Sequence, residues 1–152
     1  MIFLYNALMK PTKFSVAVFL INPENIQEFL IVKRPPDDER LPNVWGLPAV
    51  TIKGNELPED AARRIGKEKL NTEIKPIGFL GIKRVDRGDY DFILMDIKAE
   101  LIGPQPLVKE AVTQNTKYVD QQWVSDIDIL KEAASKGSLC SQIILDNHLL
   151  GY

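Results

Sequence analysis

The chain has 152 residues, of which 45% are hydrophobic and 26% are charged, and its formal net charge is −2 at pH 7. These values are typical of one folded globular domain and exclude a largely disordered chain. The slightly negative charge argues against a general nucleic-acid-binding protein, which usually carries a basic face. Because Cys140 is the only cysteine, an internal disulfide and a zinc site built from several thiolates are also excluded.

No targeting or membrane segment is evident in the sequence. Residues 1–5 lack a basic start and their apolar run is too short for a secretory signal. No stretch reaches the roughly 18 apolar residues that a membrane-spanning helix needs. We therefore predict a cytoplasmic protein with no membrane partner and no nucleic-acid polymer as its ligand.

The first part of the chain predicts a β-hairpin. Residues 1–12 are expected to be a lead-in, and residues 13–152 a single domain. Residues 14–21 are apolar on both faces, which favours a buried strand. Turn-forming residues at 22–25 separate this strand from residues 28–33, its predicted partner. The charged, proline-containing segment 34–40 is predicted to be a surface loop.

The segment from Trp45 to Thr72 predicts a strand-like apolar entry, then a loop and a helix. A turn is expected at Gly54 and Asn55, and the helix begins with Pro58, whose missing N–H is tolerated at the first helical position. Carboxylates in the first turn, at positions 59 and 60, favour the positive end of the helix dipole. A loop followed by a charged helix is a common way to build a phosphate or metal site.

The second half of the chain predicts strands followed by helices. Residues 77–85, 90–102 and 117–124 are expected to be strands. Residues 125–128 resemble a capping box, which begins a helix that runs to about residue 136 and stops at Gly137. Residues 138–150 predict a final amphipathic helix. The fold class is therefore α+β, with a mixed α/β arrangement.

Four segments carry a family resemblance: Phe29–Arg34, Leu41–Pro48, Glu56 and Ala61–Arg64. They are similar to the Nudix hydrolases, and the resemblance covers most of the chain. It implies an α/β/α sandwich around a mixed β-sheet and hydrolysis of the pyrophosphate bond in a nucleoside diphosphate linked to another moiety. It also implies a Mg²⁺ or Mn²⁺ cofactor, a nucleotide-type small molecule as partner, and homodimerisation.

The family box reads G-x(5)-E-x(7)-R-E-U-x-E-E-x-G-U, where U is a large apolar residue. It fits this chain without insertions if Val50 replaces the first glycine. Glu56, Arg64 and Glu68 then match, and the resemblance implies that these three are the catalytic residues. It further implies that Glu68 is a metal ligand.

The rest of the box is degenerate. Ile65 replaces the glutamate after the arginine, Lys69 replaces the last glutamate, and Asn71 replaces a glycine. Positions 65, 68 and 69 share one helix face, so a hard divalent cation would meet one carboxylate and one ammonium group. At ~4 Å, two like charges repel by about 4 kcal/mol at an effective dielectric constant of 20. Lys69 is expected to pair with Glu68 or to bind phosphate.

Other residues are candidates for completing the site. Arg34, Lys53 and Lys69 are predicted to bind substrate, and Lys33 and Arg40 are further candidates for a diphosphate pocket. A replacement metal ligand is sought among four later aspartates: Asp86, Asp89, Asp91 and Asp120.

Two functions stay open at the level of sequence. The first is a divergent Nudix hydrolase with a weakened metal site. The second is a catalytically inactive Nudix-fold module that binds a nucleotide or a protein partner without metal. Trp45 and Trp123 are expected to be core residues, Cys140 to be buried and inert, and His148 to have no chemical role.

Overall fold

A computed structural model describes residues 9–149 of the chain. Most of the predicted lead-in and position 150 of the last predicted helix lie outside the described residues. The strands are β1 (Thr12–Asn22), β2 (Asn25–Lys33), β3 (Trp45–Gly46), β4 (Ala49–Thr51), β5 (Ile74–Asp86), β6 (Asp91–Leu101) and β7 (Asp120–Val124). The helices are α1 (Pro58–Lys69), α2 (Lys131–Ser135) and α3 (Leu139–Leu149), with short 3-10 helices at Val108–Glu110 and Ile127–Leu130.

The seven strands form one mixed sheet. The main order is β3-β2-β1-β6-β5, with β4 also paired to β1 and β7 also paired to β2. β1 and β6 are parallel over ten residues, from Thr12 opposite Asp91 to Ile21 opposite Glu100. The other strand pairs are antiparallel. The predicted α+β class with a mixed sheet is confirmed.

β1 lies between two hydrophobic cores, which explains why its sequence is apolar on both faces. Val16 and Val18 point to a first core, where the buried side of α1 packs through Ala61 and Ile65. Ala17 points to a second core that contains the buried side of α3. Because successive side chains of a strand alternate between faces, this one strand fixes the helices on opposite sides of the sheet.

The local signals for helix ends differ in how well they predicted the structure. Gly137 has φ +97° directly after α2, so the predicted stop is confirmed. The predicted helix over residues 125–136 is instead a 3-10 helix followed by the five residues of α2. Its cap is the side chain of Asp126, which accepts a 2.9 Å hydrogen bond from the backbone N–H of Asp128, so the capping box was wrong in detail.

The predicted strands are all present, with ends that shift by up to three residues. β3 and β4 lie in the strand-like apolar segment expected before Gly54, and their separate bounds were not predicted because segments of two and three residues show no period. Within residues 9–149, no helix is long and apolar enough to cross a membrane.

Candidate functional site

Arg64 of α1 holds the loop in front of the helix through charged hydrogen bonds. Its Nε and Nη2 atoms donate to the two carboxylate oxygens of Glu56 at 2.9 and 3.0 Å. Nη1 donates to Glu68 at 2.6 Å, and Nη2 also donates to the backbone carbonyl of Thr51 at 2.7 Å. This geometry is the bidentate arrangement that makes arginine–carboxylate pairs strong. The three matching box residues are therefore one connected network.

The loop between β4 and α1 brings Glu56 to Arg64. Gly54 adopts φ +52°, a left-handed conformation that glycine tolerates best, and Lys53 and Glu56 exchange hydrogen bonds across this turn. Hydrogen bonds from Arg64 lower the pKa of the Glu56 carboxyl and, separately, the pKa of the Glu68 carboxyl. The same contacts raise the pKa of Arg64, so all three groups are charged at neutral pH.

Lys69 is a buried cation at the end of α1. Its side chain is only 5% exposed, and its Nζ atom donates a 2.6 Å hydrogen bond to the backbone carbonyl of Thr116. Nζ also lies 5.7 Å from the centre of the Tyr118 ring. Burial lowers the pKa of Lys69 to about 8. Because an ammonium group has three N–H donors, two remain for another acceptor.

The expected Lys69–Glu68 ion pair is not formed in the described structure. Glu68 instead pairs with Arg64 and, at 3.7 Å, with Lys53. Neighbouring positions on a helix point in different directions, and Lys69 turns toward Thr116 of the loop that follows the first 3-10 helix.

Two other degenerate box positions have structural explanations. Ile65 is fully buried in the first core, so it occupies the metal-ligand position with an apolar side chain. Asn71 has φ +52°, which confirms that asparagine replaces the family glycine in a left-handed helix end. Gly66 allows α1 to approach β5, because a Cβ there would lie 3.1 Å from Ile74 Cγ1.

A cleft of 640 Å³ opens beside α1. Its walls come from β1, β4, β6, α1, the loop 112–116 and residues 136–140, where α2 is joined to α3. Its volume falls in the usual range for small-molecule sites. Seven cationic residues line it: Arg34, Arg40, Lys53, Arg64, Lys69, Arg87 and Lys136. Glu68 is the single carboxylate among the lining residues within the described chain, so the cleft is suited to an anion.

The structure brings most of the predicted site residues together. Arg34, Lys53 and Lys69, predicted to bind substrate, all line this cleft, as do Arg64 and Glu68. Glu56 lies behind them on Arg64 and is not part of the lining in the described chain.

The sequence predicted the cleft lining less well at Lys33 and at the far end of the cleft. Among the described residues, Lys33 is outside the cleft lining, although Arg40 is part of it. Arg87 and Lys136 line the cleft and were not predicted. Arg87 lies in the turn between β5 and β6, and Lys136 lies at the end of α2. Neither position shows a sequence pattern that indicates ligand binding, so their place in the cleft is seen only in the folded structure.

The available residues do not fit a bound divalent cation. Both carboxylate oxygens of Glu56 are engaged by Arg64, and Glu68 is held by Arg64 and Lys53. No group of three or more His, Cys, Asp or Glu residues in positions 9–149 is arranged to hold a metal ion. Since Mg²⁺ and Mn²⁺ require several oxygen ligands, the cationic lining opposes such an ion.

The four aspartates considered as replacement ligands do not line the cleft within the described residues. Asp86 pairs with Lys10, and Asp91 pairs with Arg84 at 3.0 Å. Asp120 accepts a hydrogen bond from the backbone of the next residue, and Asp89 is exposed. None of the four therefore supplies the missing carboxylate.

Three of the remaining candidates are at least partly buried. Trp45 and Trp123 are partly buried and pack against the second and the first core, respectively. Cys140 is buried, and burial raises the pKa of its thiol to about 11, so it stays a neutral thiol at pH 7. His148 is exposed on α3.

Comparisons with known proteins identify the fold independently of this site. A family model described as the NUDIX domain matches residues 11–136. The structure is similar to a MutT protein from Methanosarcina mazei Go1, with 17% identity, a TM-score of 0.66 and coverage of 92% of this chain and 98% of the other. A NUDIX hydrolase from Nitrosomonas europaea has 19% identity, a TM-score of 0.69 and coverage of 92% and 90%.

A third similar structure is an ADP-ribose pyrophosphatase from Streptococcus suis 89-1591. It shares 16% identity with this chain, with a TM-score of 0.56 and coverage of 86% of this chain and 90% of the other. A search of curated protein sequences gave no match.

Proposed function

The chain belongs to the Nudix family, and from that membership we propose that its cleft binds a nucleoside diphosphate linked to another moiety without a divalent cation. Nudix proteins act on nucleotide-derived substrates, and they generally use divalent metals to neutralise the diphosphate. In this chain, we assign the neutralisation of the diphosphate to cationic side chains. The observation that carries the proposal is the cleft lining, with seven cations and one carboxylate among the described residues.

Lys69 is the central residue of this proposal. Its ammonium group lies at the box position where the family has a glutamate ligand, and two of its N–H donors are not used by Thr116. Arg34 and Arg64 also line this cleft. Burial lowers the pKa of Lys69 most, Glu68 opposes this effect, and the positive charges of Arg34 and Arg64 lower the pKa further. A diphosphate would relieve this repulsion, which gives a physical reason to keep a costly buried cation.

Arg64 has a different role in the proposed site. Its three donor nitrogens are used by Glu56, Glu68 and Thr51, so it positions the loop and leaves phosphate binding to its neighbours. Lys53 is more available, because its side chain is 67% exposed and its contact with Glu68 is 3.7 Å long. We assign Lys53, Lys69 and Arg34 to the ligand and Glu56 to the loop.

A second candidate function is pyrophosphate hydrolysis that depends on Mg²⁺ or Mn²⁺. Glu68 supports it, because this carboxylate lines the cleft and its side chain is 35% exposed. In that case, Glu68 would be the surviving metal ligand and a catalytic residue together with Glu56 and Arg64. The absence of a second carboxylate in the lining of the described chain makes this candidate the weaker one.

Calorimetric titration with ADP-ribose tests the binding proposal. ADP-ribose is the first probe because it is named in one similar structure, and NADH and diadenosine tetraphosphate extend the panel. We expect dissociation constants that agree within about twofold in EDTA and in Mg²⁺, since a side-chain cation replaces the ion. Lys69→Met should weaken binding at least about tenfold, which is the loss of about 1.4 kcal/mol. Lys67→Met, an exposed lysine of the same helix, is the matched control.

Product release separates the two candidates. AMP and phosphate release would be followed for the same panel with Mg²⁺ and with Mn²⁺, for the wild type and for Glu68→Gln. We expect no turnover above the uncatalysed background. Turnover that requires metal and disappears in Glu68→Gln would overturn metal-free binding in favour of hydrolysis. An absence of binding for every nucleotide would reject both.

Homodimerisation, with residues 1–12 as one candidate contact, stays a prediction. Multi-angle light scattering at several concentrations measures the mass directly, against 17.2 kDa for one chain.

A further inference from the structure

A second cluster of positive charge lies at the end of the cleft formed by the turn between α2 and α3. Arg87 reaches this turn, where its Nη2 atom donates a 3.0 Å hydrogen bond to the carbonyl of Gly137. Its guanidinium carbon is 5.5 Å from the centre of the Phe92 ring. Its Nε atom is buried and has no hydrogen-bond partner in the described structure. Arg87 is therefore held at this end of the cleft by one side-chain hydrogen bond and one ring contact.

Arg40 brings a second guanidinium group to the same place. Its Nη1 atom donates to the hydroxyl of Tyr90 at 3.3 Å, and the backbone N–H of Arg87 donates to the carbonyl of Tyr90. Burial and then the charge of Arg40 lower the pKa of Arg87. Within residues 9–149, neither arginine forms an ion pair with a carboxylate.

The two cationic groups of the cleft lie on opposite faces of the sheet. Lys69 and Arg64 belong to α1, which packs on the first core. Arg87 contacts the turn that precedes α3, which packs on the second core. Both groups line the same cleft, as do Ser15 and Leu94. Because the two groups belong to different faces of the sheet, we expect them to contact different parts of a ligand.

We propose that Arg40 and Arg87 form a second anion site, which binds a phosphate group separate from the diphosphate of the same ligand. This inference rests on the proposed function for the first site and narrows its ligand class to nucleotides that carry an additional phosphate, such as one on the ribose. Two guanidinium groups provide planar donor edges that match phosphate oxygens.

A purely structural role for Arg87 makes a different prediction. If Arg87 only anchors the turn through Gly137, its removal destabilises the protein and weakens all ligands equally. Arg40→Gln resolves this, because it leaves the Arg87–Gly137 hydrogen bond in place while removing half of the site. Arg84→Gln, which breaks the Arg84–Asp91 pair at 3.0 Å outside the cleft lining, controls for the loss of one positive charge.

The experiment compares matched ligands that differ by one phosphate. Titrations in EDTA use NAD⁺ against NADP⁺ and dephospho-coenzyme A against coenzyme A, which place the additional phosphate on the 2′ or the 3′ oxygen. We expect one of the phosphorylated ligands to bind at least about tenfold more tightly than its partner. Arg40→Gln and Arg87→Gln should reduce this advantage to less than about threefold, because the phosphorylated ligand loses more affinity than its unphosphorylated partner. Arg84→Gln should keep the advantage.

Pyrophosphate alone, followed by amide chemical shifts, separates failure of this inference from failure of the proposed function. Shifts at Gly137 that disappear in Arg40→Gln support the second site even if no nucleotide binds. Equal affinity within both ligand pairs, with ADP-ribose still bound, would overturn the second site and leave the proposed function intact. No binding of nucleotides and no pyrophosphate shifts that depend on Arg40 would overturn both.

Discussion

Lys69 and Thr116 are joined by a 2.6 Å hydrogen bond, although they are 47 positions apart in the sequence. The bond fixes the last turn of α1 to the loop that closes the cleft, and it places an ammonium group where the side chain is only 5% exposed. A buried cation with one carbonyl acceptor is under-compensated, because desolvation exceeds the strength of a single hydrogen bond. The buried charge of Lys69 therefore lowers the stability of the unliganded protein, and a bound anionic ligand offsets this loss.

Replacing Lys69 by methionine should stabilise the unliganded protein. Methionine has a similar length and fills the same space without a charge, so we expect the free energy of unfolding to rise by about 1–3 kcal/mol at pH 7. Urea denaturation measures this change. Lys67→Met, an exposed lysine of the same helix, should change the stability by less than about 0.5 kcal/mol. A less stable Lys69→Met variant would contradict the interpretation of Lys69 as a functional residue with a structural cost.

The pH dependence of the same two proteins gives a second check on Lys69. Its pKa is about 8 in the folded protein and 10.5 for an ordinary lysine, so the unfolded chain binds the proton more tightly. The destabilisation caused by the buried charge of Lys69 is therefore complete below pH 8, and it disappears as the pH rises from about 8 to 10.5. The stability difference between Lys69→Met and the wild type should shrink over that interval. A difference that stays constant to pH 10 would show that Lys69 is not titrating there.

Glu56→Gln should destabilise the loop in front of α1 above pH 5. Its carboxylate has a pKa held below the ordinary value by Arg64, so it contributes stability above the unfolded pKa and loses it as the pH falls through the folded pKa. We expect a loss of about 1 kcal/mol at pH 7, since the pair is partly exposed to solvent, and a smaller loss at pH 3. Thermal unfolding from pH 3 to 8 measures it.

The exposed Asp60–Arg63 pair on α1 provides the comparison for Glu56. These side chains are 53% and 52% exposed and form a single 2.9 Å contact one helical turn apart. Asp60→Asn should change the stability at pH 7 by less than about 0.5 kcal/mol. Equal effects of the two substitutions would mean that the bidentate geometry of Glu56 adds nothing.

Asp96→Asn should make the protein more stable at neutral pH. Asp96 of β6 is fully buried, and neither of its carboxyl oxygens has a partner in the described structure. Burial raises its pKa well above the ordinary 3.8, so the folded state retains a proton that the unfolded state releases. Wild-type stability should therefore fall as the pH rises from about 4, whereas the amide does not titrate. We expect a gain of about 2 kcal/mol at pH 7 and none at pH 4, measured by urea denaturation.

Asp89→Asn, at an exposed position of the β5–β6 turn, is the control for Asp96. It makes the same aspartate-to-asparagine change without removing a buried acid, and it should leave the pH profile unchanged. A profile that moves equally in both variants would trace the effect to net charge instead of burial.

Gly66→Ala should destabilise the protein even though alanine favours helices by about 1 kcal/mol over glycine. An added Cβ would lie 3.1 Å from both Ile74 Cγ1 and the carbonyl oxygen of Thr72. Backbone cannot move away without separating α1 from β5, so we expect a net loss of about 1–2 kcal/mol in urea denaturation. Lys67→Ala, at an exposed neighbouring position, should be neutral or slightly stabilising, which would confirm that the helix itself tolerates alanine.

Features with a local physical cause could be predicted from the sequence. The left-handed conformations of Asn71 and Gly137 follow from residue type at a helix end, and the Glu56–Arg64 pair follows from the spacing of the family box. The mixed sheet was implied by the family resemblance, and the buried strand β1 was predicted from its apolar sequence. In each case, the information lies within about ten residues or in the family pattern.

Features that depend on tertiary packing were not predictable in the same way. Arg87 joins the cleft because the β5–β6 turn meets the turn at Gly137, 50 positions later. Lys69 turns away from Glu68 because Thr116 offers a carbonyl acceptor. Both contacts depend on the positions of distant loops in the tertiary structure. A local sequence period does not predict those positions.

The parallel pairing of β1 and β6 has a consequence for how the protein folds. The paired residues, such as Thr12 and Asp91, are about 80 positions apart in sequence, and closing so long a segment slows folding because its entropy is lost before the pairing is gained. During synthesis, β1 has no partner on that edge until β6 has left the ribosome. The apolar hairpin of β1 and β2 stays exposed during that interval, which favours aggregation of the nascent chain.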